Sequence, residues 1–203
     1  MRRLLTQFFV LGVGAVALVG LGGVSTLLAG RHPEVDVTAD SATLTTVRAE
    51  LADAHRELER AHQILEFSGR YAIPGDLSAQ IYDMAVAEGI PASIGFQLVK
   101  VESEFQNTAQ STASAIGLTQ LRIATARGYD ATVNQSDLMN PTVNLRLGFR
   151  YLKDLIERFD NNTALALEAY NKGPTFVAAE QDQGRGVEGR YSKAVIGGLR
   201  KRG

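Results

Sequence analysis

The sequence predicts a mainly α-helical domain held behind an N-terminal apolar segment. Three observations predict it. Apolar residues recur at helical spacing through most of residues 77–170, with Gly, Pro and Asn at the points where helices should start and stop. No alternating stretch is long enough for more than a strand of a few residues. Residues 4–30 carry no charge, with Arg2 and Arg3 before them and Arg31 after.

The N-terminal segment is long enough to cross a hydrocarbon core of about 30 Å at about 1.5 Å per residue. The leading arginines favour an orientation with the N-terminus inside. A cleaved signal peptide opens in the same way, but Leu27 is too bulky for the usual small-residue cleavage pair with Ala29. Residues 1–30 are therefore expected to be a transmembrane anchor, with a signal peptide as the alternative. This expectation makes the protein a single-pass chain whose remaining domain lies on the outer side of the membrane.

Residues 31–43 are polar, contain Pro33 and read as a linker. From Leu44 to about Phe67 the apolar positions Leu44, Val47, Leu51, Ala54, Leu58, Ala61 and Leu65 alternate spacings of three and four, a heptad seam. Two readings fit it: a weak homodimer through residues 44–67, or an amphipathic helix packed on its own domain. His55 and His62 flank the seam and read as a solvated edge; no HExxH pattern accompanies them. The expected organisation is 1–30 anchor, 31–70 linker and helix, and 71–203 globular domain.

Within that last region, Leu77 to Ala87 is expected to be helical, with Gly89 at its end. Pro91 and Ser93 open a second helix to about Phe105. Asn144 is expected to cap a helix carrying Leu145, Gly148, Leu152, Leu155 and Phe159. Asn162 should cap a short helix ending near Tyr170-Asn171, stopped by Gly173-Pro174. Residues 180–190 read as a mobile loop.

Composition narrows the chemistry. The chain of 203 residues has a formal net charge of −1 and no cysteine. Disulfides, thiolate catalysis and cysteine-based metal sites are out, and no basic patch points to nucleic acid. No Ser/His/Asp pattern and no phosphate loop is present. Neither a metal nor a cofactor is expected.

The candidate chemistry centres on Glu102. On a helical wheel Ile94, Leu98, Val101 and Phe105 form a stripe, with Lys100 and Ser103 on the far side. Glu102 falls at the stripe's margin in the last turn, where burial and the negative helix end both disfavour the carboxylate. A carboxyl with a raised pKa suits a general acid. Glu104, farther round, is expected to be solvated. Gly117-Leu118-Thr119-Gln120 then supplies a glycine and a side-chain amide, and Tyr170-Asn171 a phenol and a second amide. These groups suit a polymer rich in hydroxyl and acetamido groups. No second carboxylate pairs with Glu102.

The glutamate-serine pair, the GLxQ motif and the AYNxGP motif, in this order, resemble those of soluble-type (SLT) lytic transglycosylases over roughly residues 75–196. Asp137 to Asn144, Gly148, Tyr151-Leu152 and the YSKAV segment at Tyr191 extend the resemblance. It implies a lysozyme-like fold and non-hydrolytic cleavage of the β-1,4 bond between N-acetylmuramic acid and N-acetylglucosamine in peptidoglycan, leaving 1,6-anhydro ends. Matched motif by motif, Glu102 is the implied catalytic acid and base. Ser111, Gly117, Gln120, Tyr170 and Asn171 are the implied substrate-binding residues, with Gly117 letting the glycan approach. Ser103 is given a structural role. Thr119 stands where the family usually has methionine, which would alter a subsite wall, and Lys172 where it often has alanine. The alternatives are a hydrolytic lysozyme of goose type and a non-catalytic glycan-binding scaffold.

Overall fold

A computed structural model describes residues 37–187 and 189–200. The expected membrane segment and the start of the linker lie outside the described residues. Among the described residues no helix is long and apolar enough to cross a membrane.

The mainly α expectation holds. The order is α1 (Val37–Tyr71), α2 (Gly75–Ala87), α3 (Ala92–Ser103), β1 (Ala115–Ile116), β2 (Leu121–Arg122), α4 (Ile123–Ala126), α5 (Gln135–Leu138), α6 (Pro141–Arg158), α7 (Thr163–Lys172), α8 (Pro174–Asp182) and α9 (Arg190–Arg200). Local signals set several boundaries as expected. Gly89 adopts φ +70° just after α2, a conformation that costs a glycine little. Pro91 precedes α3, and the Asn162 side chain accepts the Leu165 amide to cap α7.

Four expectations need correction. The helix expected from Leu44 begins at Val37, so residues 37–43 are helical rather than linker. Residues 180–182 belong to α8 rather than a loop, and the Arg185 guanidinium folds back on Glu180. Asn144 is not a cap. Asn140 caps α6, accepting from the Thr142 and Val143 amides, with Pro141 at the first helical position. Finally, α3 does not bury a single stripe. Phe96, Gln97, Val99 and Ser103 are buried along with Ile94 and Leu98, whereas Val101 is exposed. It is a central helix, packed against α2 and α9, so a one-sided wheel cannot describe it.

Most of the core gathers around α3 and α6: Phe96, Leu98, Val99, Leu145, Phe149 and Leu152 meet Ile81, Leu167 and Val195. A smaller cluster of Ile116, Leu121, Ala126, Val133, Leu138 and Leu147 lies under the β-hairpin. Strands β1 and β2 are antiparallel, Ala115 opposite Arg122 and Ile116 opposite Leu121.

Helix α1 docks through its last turns. Ile64 and Phe67 are buried, Phe67 stacks on Phe96 at 4.2 Å, and Tyr71 stacks on Phe96 at 5.6 Å and leans on Phe105 at 5.2 Å. The Arg60 guanidinium grips the Asp83 carboxylate through two hydrogen bonds of 2.7 and 2.5 Å. Arg60, Ile64 and Phe67 are not seam positions. The heptad residues Leu44, Val47, Leu51, Leu58 and Leu65 are all exposed. The helix thus packs on the domain by one face and leaves the seam open.

Candidate active site

A cleft of about 450 Å³ opens beside the C-terminal end of α3. One side is formed by the hairpin region, with Ser111, Ala115, Gln120 and Arg122; the other by Tyr151 on α6 and by Tyr170, Asn171 and Lys172 at the end of α7. Glu102 lines it, the one carboxylate among the lining residues.

Helix α3 delivers Glu102 one turn before the chain reverses. Glu104 takes the left-handed conformation at φ +50° and Phe105 follows at φ +65°. Ser103, buried, donates to the Val99 and Leu118 carbonyls at 3.0 and 2.8 Å. This ties the end of the helix to the hairpin loop and bears out its structural role. Glu104 is exposed, as expected.

Burial pushes the Glu102 carboxyl up from 4.5 to about 7, against the pull of a hydrogen bond donated by the Tyr191 hydroxyl. Burial, and after it the charge of Glu102, drives the Tyr191 phenol far above its ordinary range, so Tyr191 is a neutral donor. Because that bond favours the ionised form, its loss leaves burial less opposed. Tyr191→Phe is expected to move the Glu102 pKa above 7. An NMR titration of the carboxyl would register this, and a downward shift would refute it.

Tyr170 lines the same cleft, close enough for the Glu102 charge to act on it. Its hydroxyl donates to the Thr119 carbonyl at 2.8 Å, and its ring lies 5.1 Å from that of Tyr151. Burial and then the charge of Glu102 raise its pKa, keeping it a phenol. Gln120, at φ +47°, donates its amide NH₂ to the Ala109 and Gly117 carbonyls at 3.1 and 3.0 Å, bracing the loop that forms the cleft wall. Ser111 is exposed on that wall, its Oγ accepting from the Ala115 amide at 3.0 Å. Asn171 is exposed on the opposite side.

Two readings of the GLTQ stretch change. Gly117 is buried and faces away from the cleft. A Cβ there would lie 2.5 Å from Asn144 Nδ2 and 2.7 Å from the Leu138 carbonyl, and φ is +75°. The glycine is required by packing and backbone conformation, not by an approaching glycan. Thr119 is fully buried and forms no cleft wall. Its amide donates to Asn144 Oδ1 at 2.8 Å, as does its hydroxyl at 2.8 Å. It sits over Gly148, where a Cβ would meet Thr119 Oγ1 at 2.3 Å. The exchange of methionine for threonine therefore acts on the core beneath the cleft.

Lys172 lines the cleft with its Nζ 3.0 Å from the buried Glu168 carboxylate. Burial raises the Glu168 pKa, but the Ser192 amide at 2.7 Å, its hydroxyl and Lys172 outweigh it and hold the group below the ordinary value. Since Ser192 follows Tyr191, this bond fixes the start of α9 beside Glu102. Tyr191, Tyr151 and Arg122 were missed as site residues. Only the YSKAV resemblance pointed toward Tyr191, which meets Glu102 across 89 positions of sequence.

Residues 81–192 match the Transglycosylase SLT domain. The chain belongs to this family. The membrane-bound lytic murein transglycosylase C of Actinobacillus pleuropneumoniae serotype 5b is 32% identical over 145 residues, covering 64% of this chain and 36% of that protein. The soluble lytic murein transglycosylase of Escherichia coli K12 is 30% identical over 94 residues, covering 42% of this chain and 14% of that protein. Among solved structures, an inactive glutamate-to-glutamine variant of lytic transglycosylase Slt from Pseudomonas aeruginosa superposes with a TM-score of 0.50 at 30% identity, over 58% of this chain and 20% of that one. This SLT chain thus spans little more than a third of the length of these relatives, or less.

Proposed function

We propose that the chain is a peptidoglycan lytic transglycosylase with Glu102 as its acid and then its base. The observation that carries this reading is a carboxyl poised at about 7 in an open cleft, where it is the one carboxylate among the described lining residues. Most hydrolases that retain or invert use two, one to protonate the leaving oxygen and one to attack or to activate water. A single carboxyl suffices when the nucleophile is part of the substrate. Glu102 gives its proton to the glycosidic oxygen as the bond to the muramyl anomeric carbon breaks. The resulting carboxylate removes the proton of the muramyl 6-hydroxyl as that oxygen bonds to the same carbon. Glu102 ends protonated, and no water is consumed. The substrate's N-acetyl oxygen supports the developing cation, and the intramolecular nucleophile spares the entropy of a second encounter.

A pKa near 7 suits both halves, because the group must give and regain a proton at neutral pH. Tyr191 orients the carboxyl. Ser111, Gln120, Tyr170 and Asn171 form the binding walls, Tyr170 and Gln120 by bracing them. That the solved Slt variant with one glutamate changed to glutamine is described as inactive supports an essential glutamate in this family.

The finer reading places the enzyme at the inner membrane, anchored by residues 1–30, with its cleft in the periplasm and a weak homodimer formed through residues 44–67. The membrane-bound name of the A. pleuropneumoniae relative supports an envelope location, and the open heptad seam supports self-association.

Mass spectrometry of muropeptides released from purified peptidoglycan tests the chemistry. Products lighter by one water than hydrolytic ones are expected. Reducing ends would make the protein a lysozyme and require a base for water.

A further inference from the structure

The open seam of α1 has polar flanks that select one arrangement of partners. With Leu51, Leu58 and Leu65 as heptad a positions, Val47, Ala54 and Ala61 fall at d. Residues Arg48, His55 and His62 are then at e, and Glu50 and Glu57 at g. All five flanking residues are exposed. Glu57 comes no closer than 4.0 Å to Arg60, whose guanidinium is already held by Asp83.

The domain does not cover this seam. Leu65 is 70% exposed and Leu58 69%, although Ile64 and Phe67, on either side of Leu65, are 8% and 5% exposed. The docking residues Arg60 and Phe67 fall at c and Ile64 at g, so the domain borders the seam on its g side near Leu65 and leaves the a and d residues open. A second helix can lie along the seam without displacing the first contact.

We infer that the occupant is α1 of a second copy, lying parallel and in register. The flanks decide the orientation. In a parallel pair each g residue faces the partner's e residue of the next heptad, so Glu50 meets the partner's His55 and Glu57 meets the partner's His62. Each carboxylate there accepts from an imidazole N–H, and two-fold symmetry makes four such pairs. In an antiparallel pair g faces g and e faces e. Glutamate then opposes glutamate, which like charges disfavour, and no carboxylate meets an imidazole. Alanine at two of the three d positions lets the helices approach closely and keeps the association weak. The parallel arrangement also brings both N-termini to the same end, as two anchors in one membrane require. The inference rests on the homodimer reading above and specifies it.

The chain has no cysteine, so one introduced thiol reports one position. The full chain in detergent micelles, carrying Val47→Cys, is oxidised and run on a non-reducing gel. A covalent dimer is expected, because parallel partners bring the two 47 positions together. Antiparallel partners centred on the seam would hold them about 20 Å apart, at about 1.5 Å per residue. Ala54→Cys, near the seam's centre, crosslinks in either orientation. Dimer from Ala54→Cys without dimer from Val47→Cys overturns the orientation alone. No dimer from either overturns the homodimer reading as well.

Charge substitutions guard against crosslinking driven by the N-terminal segment. Adding His55→Glu and His62→Glu to Val47→Cys should lower the dimer yield several-fold. Adding Glu50→Lys and Glu57→Lys to those should restore it, since only parallel partners then gain lysine-glutamate pairs. A yield indifferent to these exposed substitutions overturns the inference. Release of anhydro-muropeptides by the same variants is scored separately, so loss of the enzymatic reading is distinguishable from loss of the dimer.

Discussion

Glu102→Gln is expected to abolish release of anhydro-muropeptides while leaving the fold intact. The amide is close in size and can still accept from Tyr191, but it can neither give a proton to the glycosidic oxygen nor take one from the 6-hydroxyl. General acid–base catalysis contributes about 10² to 10⁴-fold for one positioned group. A residue serving both transfers should reach the upper end, a fall in rate of about 10³-fold or more. The variant should also be the more stable protein in alkali. In the folded chain the Glu102 pKa is about 7, raised from 4.5. Ionising it therefore costs the folded state nothing below about pH 4.5, and the cost grows until the pH passes 7. That gap corresponds to about 3 kcal/mol. Denaturant melts at pH 8 should favour Glu102→Gln by up to that amount, with the advantage gone near pH 4. A variant with normal turnover would remove Glu102 from the mechanism, and equal stabilities at pH 8 would mean that burial does not set its pKa.

Asn144→Ala should be the costliest substitution for stability. The Asn144 side chain is fully buried and makes four hydrogen bonds within one junction. It accepts from the Thr119 amide and hydroxyl, and it donates to the Ile116 and Leu138 carbonyls at 2.8 and 3.1 Å. Truncation leaves at least three buried polar groups without a partner, at roughly 1–3 kcal/mol each before relaxation. A loss of about 3–5 kcal/mol is expected in the denaturant midpoint. A loss below about 1 kcal/mol would mean that water replaces the side chain. Activity should fall with it, because the Thr119 carbonyl that receives the Tyr170 hydroxyl belongs to the same junction.

This residue shows where sequence reading stopped. The sequence predicts Asn144 as a helix cap because asparagine before an amphipathic run usually is one. Asn140, four residues earlier and followed by proline, carried the stronger signal. A buried asparagine bridging three segments leaves no local signature, since its partners lie up to 28 positions away. Gly117 and Thr119 failed for the same reason: their neighbours, Asn144 and Gly148, are invisible to spacing. Features fixed by local backbone chemistry were legible: Gly89, Pro91, the Asn162 cap and the Gly173-Pro174 junction. Glu102 was legible as well, because position at a helix end and proximity to apolar residues raise a pKa whichever residues do the burying. Tyr191 was not, because its place in the site is set by packing of α9 on α3. The heptad pattern identified a real stripe on α1 but not the stripe by which the helix docks, because Arg60, Ile64, Phe67 and Tyr71 recur at four-three-four spacing on another face of the same helix.

The stacked rings of Phe67, Phe96, Tyr71 and Phe105 have a mechanical consequence. Phe96 and Phe105 flank Glu102 along the chain, and the Tyr71 hydroxyl accepts from Gln97 Nε2 at 2.8 Å. Traction on α1 is therefore borne by the segment that carries the acid, with the Arg60–Asp83 grip sharing the load through α2. A pull on the C-terminal turns of α1 is thereby passed through packed rings to the segment that carries Glu102.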